Sequence, residues 1–113
     1  MGTKIITLEA NGFLDIPGMI RKEAENKMIY SINHMFSSDE CQKPWNIILI
    51  TGDLIENRKN EIIDIRDWNF QSLTSRIKEK TEGKKILSIS REYAIGDNFL
   101  WTALIAIEIE AKK

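Results

Sequence analysis

The chain has 113 residues, of which 42% are hydrophobic and 29% are charged, and these proportions are typical of a folded globular protein rather than a disordered segment. The 16 basic and 17 acidic residues give a formal net charge of −1, so no overall field would attract nucleic acid or an anionic membrane. We therefore predict a single globular domain over residues 1–113. We expect it to bind no membrane, and we do not favour nucleic acid as a partner.

The cysteine content and the N-terminal residues bear on the compartment. Cys41 is the only cysteine, which excludes an intramolecular disulfide and is compatible with a reducing compartment. The first residues, MGTKIITLEANG, lack the apolar run of a signal peptide, and no apolar stretch approaches the length of a membrane span. We predict a cytoplasmic protein, and the absence of valine beside abundant isoleucine indicates an AT-rich bacterial or phage genome.

The first half of the sequence predicts a strand followed by a long helix. Lys4–Ala10 alternates apolar and polar residues as a strand does, and Asn11-Gly12 ends it. Asp15 precedes Ile16-Pro17 as a helix N-cap would, with proline in the first turn. Apolar residues then recur every fourth position to about residue 36, which predicts an amphipathic helix; they are Ile16, Ile20, Ala24, Met28 and Ile32.

The middle of the sequence predicts a buried strand, a short strand and a second helix. The run from Trp45 to Thr51 is almost continuously apolar, which is typical of a central strand, and residues 61–65 form a short strand returning against it. Asp67 or Asn69 can cap a helix that turns Phe70, Leu73 and Ile77 inward and ends at Gly83.

The end of the sequence predicts a long hairpin. Residues 85–95 and 99–110 form two strands joined at Gly96-Asp97-Asn98. One side of the last strand is entirely apolar from Phe99 to Ile109, and it should face the helices. The other side carries the apolar or neutral residues Leu100, Thr102, Leu104 and Ala106.

These elements predict an α/β (α+β) fold, a two-layer sandwich in the order β-α-β-(β)-α-β-β. We expect one mixed sheet with both helices on one face, ferredoxin-like in general character, and no internal repeat. Such a sheet leaves one face open, and exposed apolar patches usually mark interfaces. Leu100, Thr102, Leu104 and Ala106 are therefore predicted to form a self-association surface, most simply of a two-fold homodimer.

Few residues have the chemistry of a catalytic or metal site. His34 and Cys41 alone cannot make a zinc site, and no phosphate-binding glycine loop or nucleophile elbow is present. We predict no metal, no cofactor and no catalytic residue. The basic residues near the end of the second helix are interrupted by glutamates and are interpreted as a solvated face.

The hairpin region contains residue types that binding hot spots favour, namely arginine and aromatics beside hydrogen-bonding groups. The candidate binding residues are Arg91, Tyr93, Asp97, Asn98, Phe99 and Trp101. The leading interpretation is a small non-catalytic protein-binding module, of the inhibitor, immunity or phage accessory type, that also self-associates. One alternative is a small-ligand or nucleotide pocket at the Tyr93–Trp101 hairpin, and another is an enzyme that uses acidic residues of the 53–67 region.

Overall fold

The computed structural model describes residues 2–37, 43–95 and 100–111 and contains six strands and two α-helices within them. Their bounds are β1 Lys4–Ala10, α1 Ile16–Glu23, β2 Lys27–Phe36, β3 Trp45–Asp53, β4 Arg58–Asp67, α2 Phe70–Thr81, β5 Lys85–Ala94 and β6 Leu100–Glu110, with a 3₁₀ turn at Phe13–Asp15 before α1. The architecture is a mostly β two-layer α+β sandwich, which confirms the predicted fold class.

The strands form two separate antiparallel sheets rather than the one mixed sheet predicted. The first sheet has the order β1-β3-β2 and the second has the order β4-β6-β5. Residues 61–65, predicted as a short strand against β3, belong to the longer β4, which pairs with β6 through partners such as Ile63 and Ile105. The strand pairing of the predicted hairpin is confirmed, because β5 and β6 pair antiparallel with Tyr93 opposite Trp101, whereas the predicted turn at Gly96-Asp97-Asn98 lies outside the described residues.

The predicted first helix is correct only in its first two turns. α1 ends at Glu23, and β2 begins at Lys27. A four-residue apolar spacing is also a multiple of the two-residue period of a strand, so it does not exclude β2. The register shift after Ile29 places Ile29, rather than Met28, on the inner face with Ile32. The β-branched residues of this segment favour the strand.

The predicted end signals of α2 are confirmed. The side chain of Asn69 accepts a hydrogen bond from the backbone N–H of Ser72, as an N-cap does. Gly83 follows the last turn with φ of +74°, a conformation that glycine adopts without steric cost.

The two halves of the chain have the same topology. Each half runs strand, helix, strand, strand, and in each the third strand lies between the other two. The second strand of each half carries an irregularity at the same place: the register shifts between Ile29 and Ser31 in β2 and between Ile86 and Ser88 in β5. The chain is therefore an internal duplication of a β-α-β-β unit, and the prediction of no repeat is wrong.

The amino-acid sequence carries the same duplication once the structure supplies the alignment. A displacement of 57 residues places Phe13 on Phe70 and Ile20 on Ile77, and nine of the positions from 5 to 36 are identical to the residues so aligned. On the third strands the displacement is 56: Trp45 lies opposite Ala10 and Phe36, and Trp101 lies opposite the equivalent Asp67 and Tyr93. The two tryptophans occupy equivalent positions.

Each sheet has a front, on the side where its half carries its helix, and a back. The front of the second sheet packs on α2 through a core cluster of Ile65, Leu73, Ile77, Ala103, Ile105 and Ile107. Its back, with Leu104 and Ala106, joins the front of the first sheet and α1 in the larger core cluster, where Ile32, Ile47 and Leu49 lie. The halves are thus stacked front to back.

A ladder of side-chain hydrogen bonds joins β2 to the back of β5. The backbone N–H groups of Ile32 and His34 donate to the hydroxyls of Ser88 and Ser90, each at 2.9 Å. The N–H of Phe36 donates to the carboxylate of Glu92 at 2.9 Å. Alternate residues of β5 therefore satisfy the donors along one edge of β2, which would otherwise remain unpaired within the fold.

Polar contacts also hold α1 and β6 in place. The guanidinium of Arg21 on α1 donates to the carbonyl of Ile62 on β4 at 3.0 Å. Glu108 of β6 lies between Arg58 of β4 and Lys85 of β5, with nitrogen–oxygen distances of 3.4 Å to both. These contacts join neighbouring strands and fix the helix between the two halves.

Candidate functional site

His34 lies buried between the two sheets with both ring nitrogens bonded. Its Nδ1 is 2.6 Å from the Ser90 hydroxyl, and its Nε2 is 2.9 Å from the Thr102 hydroxyl. Thr102 donates its own proton to the carbonyl of Glu92 at 2.8 Å, so Nε2 must donate to Thr102. In the neutral ring Nδ1 then accepts from Ser90, which defines a single tautomer.

The surroundings of His34 disfavour its charged form. Its ring stacks on Trp45, with centroids 5.8 Å apart, and also contacts Phe13. Burial lowers the pKa of His34 to about 4, because removal from water destabilises the imidazolium. The residue is therefore neutral at physiological pH.

Ser90 and His34 have the spacing of a serine–histidine pair, but the hydroxyl has a structural use. Its oxygen accepts the backbone N–H of His34, and its proton goes to the ring of the same residue. The neighbouring Ser88 and Glu92 accept β2 donors in the same way. Ser90 is thus one member of a repeated acceptor series, and it is itself buried.

The acidic residues of the 53–67 region do not converge on one point. On β4, Glu61 and Asp67 share one side of the strand and Asp64 lies on the other. Hydrogen bonds donated by the backbone N–H of Asn69 and then by the side chain of Ser72 lower the pKa of Asp67. The Asp67 carboxylate therefore holds the residues at the start of α2 in place. Among the described residues, no group of three or more histidine, cysteine, aspartate or glutamate side chains could hold a metal ion.

An aromatic cluster lies on the front of the second sheet at the start of α2. Trp101 contacts Phe70 and Tyr93, each with ring centroids 4.8 Å apart. The guanidinium of Arg91 lies 5.2 Å from the centre of the Phe70 ring, as a cation–π contact requires. Ile89, on the same side of β5, is 42% exposed. We call these five residues the front cluster.

The front cluster borders an open groove of about 690 Å³ that also reaches Asn33 and Met35 on the back of β2. Glu92, the acidic residue of the groove, has its carboxylate bonded to the N–H groups of Phe36 and Tyr93. The Arg91 side chain extends over Phe70 in the exposed part of the cluster. The groove therefore offers exposed aromatic and aliphatic surface with one cation.

Equivalent residues in the first half make a cluster that is buried except at the half-buried Phe36. Phe13, His34, Phe36 and Trp45 pack ring against ring, and their equivalents are Phe70, Arg91, Tyr93 and Trp101. Phe13 is 3% exposed whereas Phe70 is 41% exposed. The difference arises because the back of the second sheet covers the front of the first, and among the described residues no equivalent element covers β5.

The structure brings together three of the six predicted binding residues. Arg91, Tyr93 and Trp101 meet in the front cluster, whereas Asp97, Asn98 and Phe99 lie outside the described residues, as does Cys41. Whether the first three bind a partner stays a prediction. Of the other tryptophans, Trp45 is completely buried and Trp68 is 72% exposed.

The predicted interface on the other side of β6 is wrong. Leu100, Thr102, Leu104 and Ala106 are all buried, because the first sheet and α1 cover that side of the strand. A single sheet would have left these side chains open, whereas the chain forms two sheets and the first covers this side of the second. Self-association stays a prediction, but these four side chains do not offer a surface for it.

Sequence reasoning missed Phe70, Ile89 and Met35 as parts of the candidate surface. Phe70 was expected to point inward with Leu73 and Ile77. It lies instead at the first position of α2 and is largely exposed. The signal that could have found it is its alignment with Phe13 in the duplicated unit.

Comparison with known proteins gives no family. No family model matches the chain, and neither a curated protein nor a solved structure is significantly similar to it. Neither helix in the described part of the chain is long and apolar enough to cross a membrane.

Proposed function

We propose that this chain is a small non-catalytic docking module, expected in the cytoplasm, that binds other proteins through the front cluster. One observation carries the proposal. Phe13 and His34 are buried in the first half, whereas the equivalent residues of the second half, Phe70 and Arg91, are exposed. A surface built like a buried one, but left uncovered, has the character of an interface.

The composition of the front cluster supports a protein partner. Tryptophan, tyrosine and arginine are the residues enriched among binding hot spots, because they combine large apolar area with hydrogen-bonding groups. Trp101 is packed between Phe70 and Tyr93, so its ring is held in place before a partner arrives. Such preorganisation reduces the entropy lost on binding.

A nucleotide or other flat ligand fits this surface less well. The rings of the cluster contact one another at tilted angles of 56° and 44°, which leaves no slot between parallel rings. The groove is open rather than enclosed, whereas small-molecule sites bury most of the ligand. An enzyme is disfavoured by the structural use of Ser90 and by the divergence of the acidic residues.

Quantitative affinity capture tests this function. The tagged chain, purified and used as bait in lysate of the encoding organism, is compared with Phe70→Ala and Arg91→Ala. Ile55→Ala is the matched control, since Ile55 is an exposed apolar residue of the β3–β4 turn. We expect proteins retained by the wild type and the control to be lost at least tenfold from both cluster variants. Equal retention by all four baits would contradict the proposal.

A further inference from the structure

The contact between the two halves of the chain is heterologous, because it joins two different surfaces. The front of the first half meets the back of the second half. Stacking of this kind does not use up both surfaces of either half. No described residue packs over the front of the second half at β5 or over the back of the first half, and a heterologous contact can in principle repeat from one molecule to the next.

The uncovered front is the true counterpart of the covered one. α2 packs mainly on β4 and β6 and reaches β5 through Phe70, whereas in the first half α1 packs at the β1 side and β5 lies against β2. The covered residues Ile32 and His34 correspond to Ile89 and Arg91. Ile32 is 4% exposed, whereas Ile89 is 42% exposed. The second half of the chain covers Ile32, and this cover accounts for the difference in exposure.

The hydrogen-bonding groups needed to repeat the ladder are also present. In β2 the donors are the N–H groups of Ile32, His34 and Phe36, and their equivalents in β5 belong to Ile89, Arg91 and Tyr93. Within the described ranges, only the last of these three has a side-chain acceptor, Glu92 at 3.0 Å.

The matching acceptors lie on the back of β2. Ser31 and Asn33 are equivalent to Ser88 and Ser90, which accept the β2 donors at 2.9 Å. A serine hydroxyl and an asparagine carbonyl can both accept a backbone N–H. Met35 is equivalent to Glu92 and is 58% exposed. It offers apolar contact to a second copy and no acceptor, since the N–H of Tyr93 already donates to Glu92 of its own chain.

We propose, on the basis of the docking function above, that the partner of the front cluster is a second copy of this chain. The back of β2 in one molecule would lie along β5 of another, as β5 lies along β2 within each molecule. Ile89 and Arg91 N–H would donate to Ser31 and Asn33 of the other copy. Copies then join head to tail into a ring or an open chain.

The first test is the mass of the protein as a function of concentration. Sedimentation from about 1 to 300 µM covers the range of weak interface affinities. We expect the wild type to rise at least twofold above the 13.1 kDa of one chain. Ile89→Glu, on the front, and Ser31→Lys, on the back where Ile89 of a second copy would lie, should each stay at one chain. Ile55→Glu is the control and should behave like the wild type.

The second test mixes the two variants and separates a head-to-tail contact from a two-fold one. Ile89→Glu keeps its back and Ser31→Lys keeps its front, so an equimolar mixture should form pairs of two chains that grow no further. A mixture that stays at one chain, while the wild type associates, would overturn the head-to-tail arrangement. Thermal melts of both variants within about 3 °C of the wild type would show that they fold.

The outcomes also separate this inference from the docking function. A wild type that remains at one chain throughout the series overturns self-association. If front-cluster variants still lose proteins in the capture experiment, the docking function stands and the partner is another protein, or nucleic acid if nuclease treatment abolishes capture. If front substitutions change neither association nor capture, both proposals fail.

Discussion

The stability of the fold should depend on pH through His34. The folded chain holds this ring neutral, with a pKa of about 4, whereas an unfolded histidine titrates near 6.5. Below pH 6.5 the unfolded chain therefore binds a proton that the folded chain does not. The free energy of unfolding is fully retained above pH 6.5 and falls as the pH falls towards 4. The difference between the two pKa values corresponds to a loss of about 3 kcal/mol.

Urea unfolding from pH 7.5 to 4.5 measures this loss, with His34→Gln as the reference. His34 is the only histidine, so the difference between wild type and variant isolates it from the carboxylates, which contribute to both proteins. The wild type should lose about 2–3 kcal/mol more than the variant between pH 6.5 and 4.5. Equal slopes would refute the reasoning, as would an NMR titration that places the ring near 6.5 in the folded protein.

Four further substitutions test the packing between and within the halves. Ser90→Ala removes a buried acceptor and donor, and urea unfolding should show a loss of about 1–3 kcal/mol; a neutral effect would mean that water replaces the hydroxyl. Glu108→Gln should cost only about 1 kcal/mol, since its basic partners are exposed, and the cost should shrink in high salt if it is electrostatic. Trp45→Ala should cost about 3–5 kcal/mol and the equivalent Trp101→Ala clearly less, because only the first ring is fully buried; similar losses would contradict the assignment of Trp101 to a surface.

The sequence was sufficient where one signal has one structural meaning. The cap at Asn69, the glycine at 83 and the alternation of β6 each favour a single local structure, and all three were predicted correctly. The segment after Glu23 was not, because a four-residue apolar period suits a strand and a helix equally. Only packing of Ile32 against the second sheet distinguishes them, and that contact lies far away in the sequence.

Only part of the front cluster was predicted from the sequence, for a related reason. Residue type alone marked Arg91, Tyr93 and Trp101, since arginine and large aromatics are uncommon together in a short segment. Whether a β6 side chain faces solvent depends on which sheet covers it, and the alternation of Trp101 with Thr102 is compatible with cover on either side. The duplication would have resolved this, but its identities are scattered and the third strands are displaced by one residue.

The order of synthesis gives the β2–β5 ladder a consequence for the newly made chain. Ribosomes deliver the first half while Ser88, Ser90 and Glu92 do not yet exist, so the edge of β2 has none of its acceptors. The apolar side of Ile32, Ile47 and Leu49 is uncovered over the same interval, and such transient species are prone to aggregate. We therefore expect the first unit to gain its structure only after β5 and β6 have left the ribosome, with the second unit serving as its template.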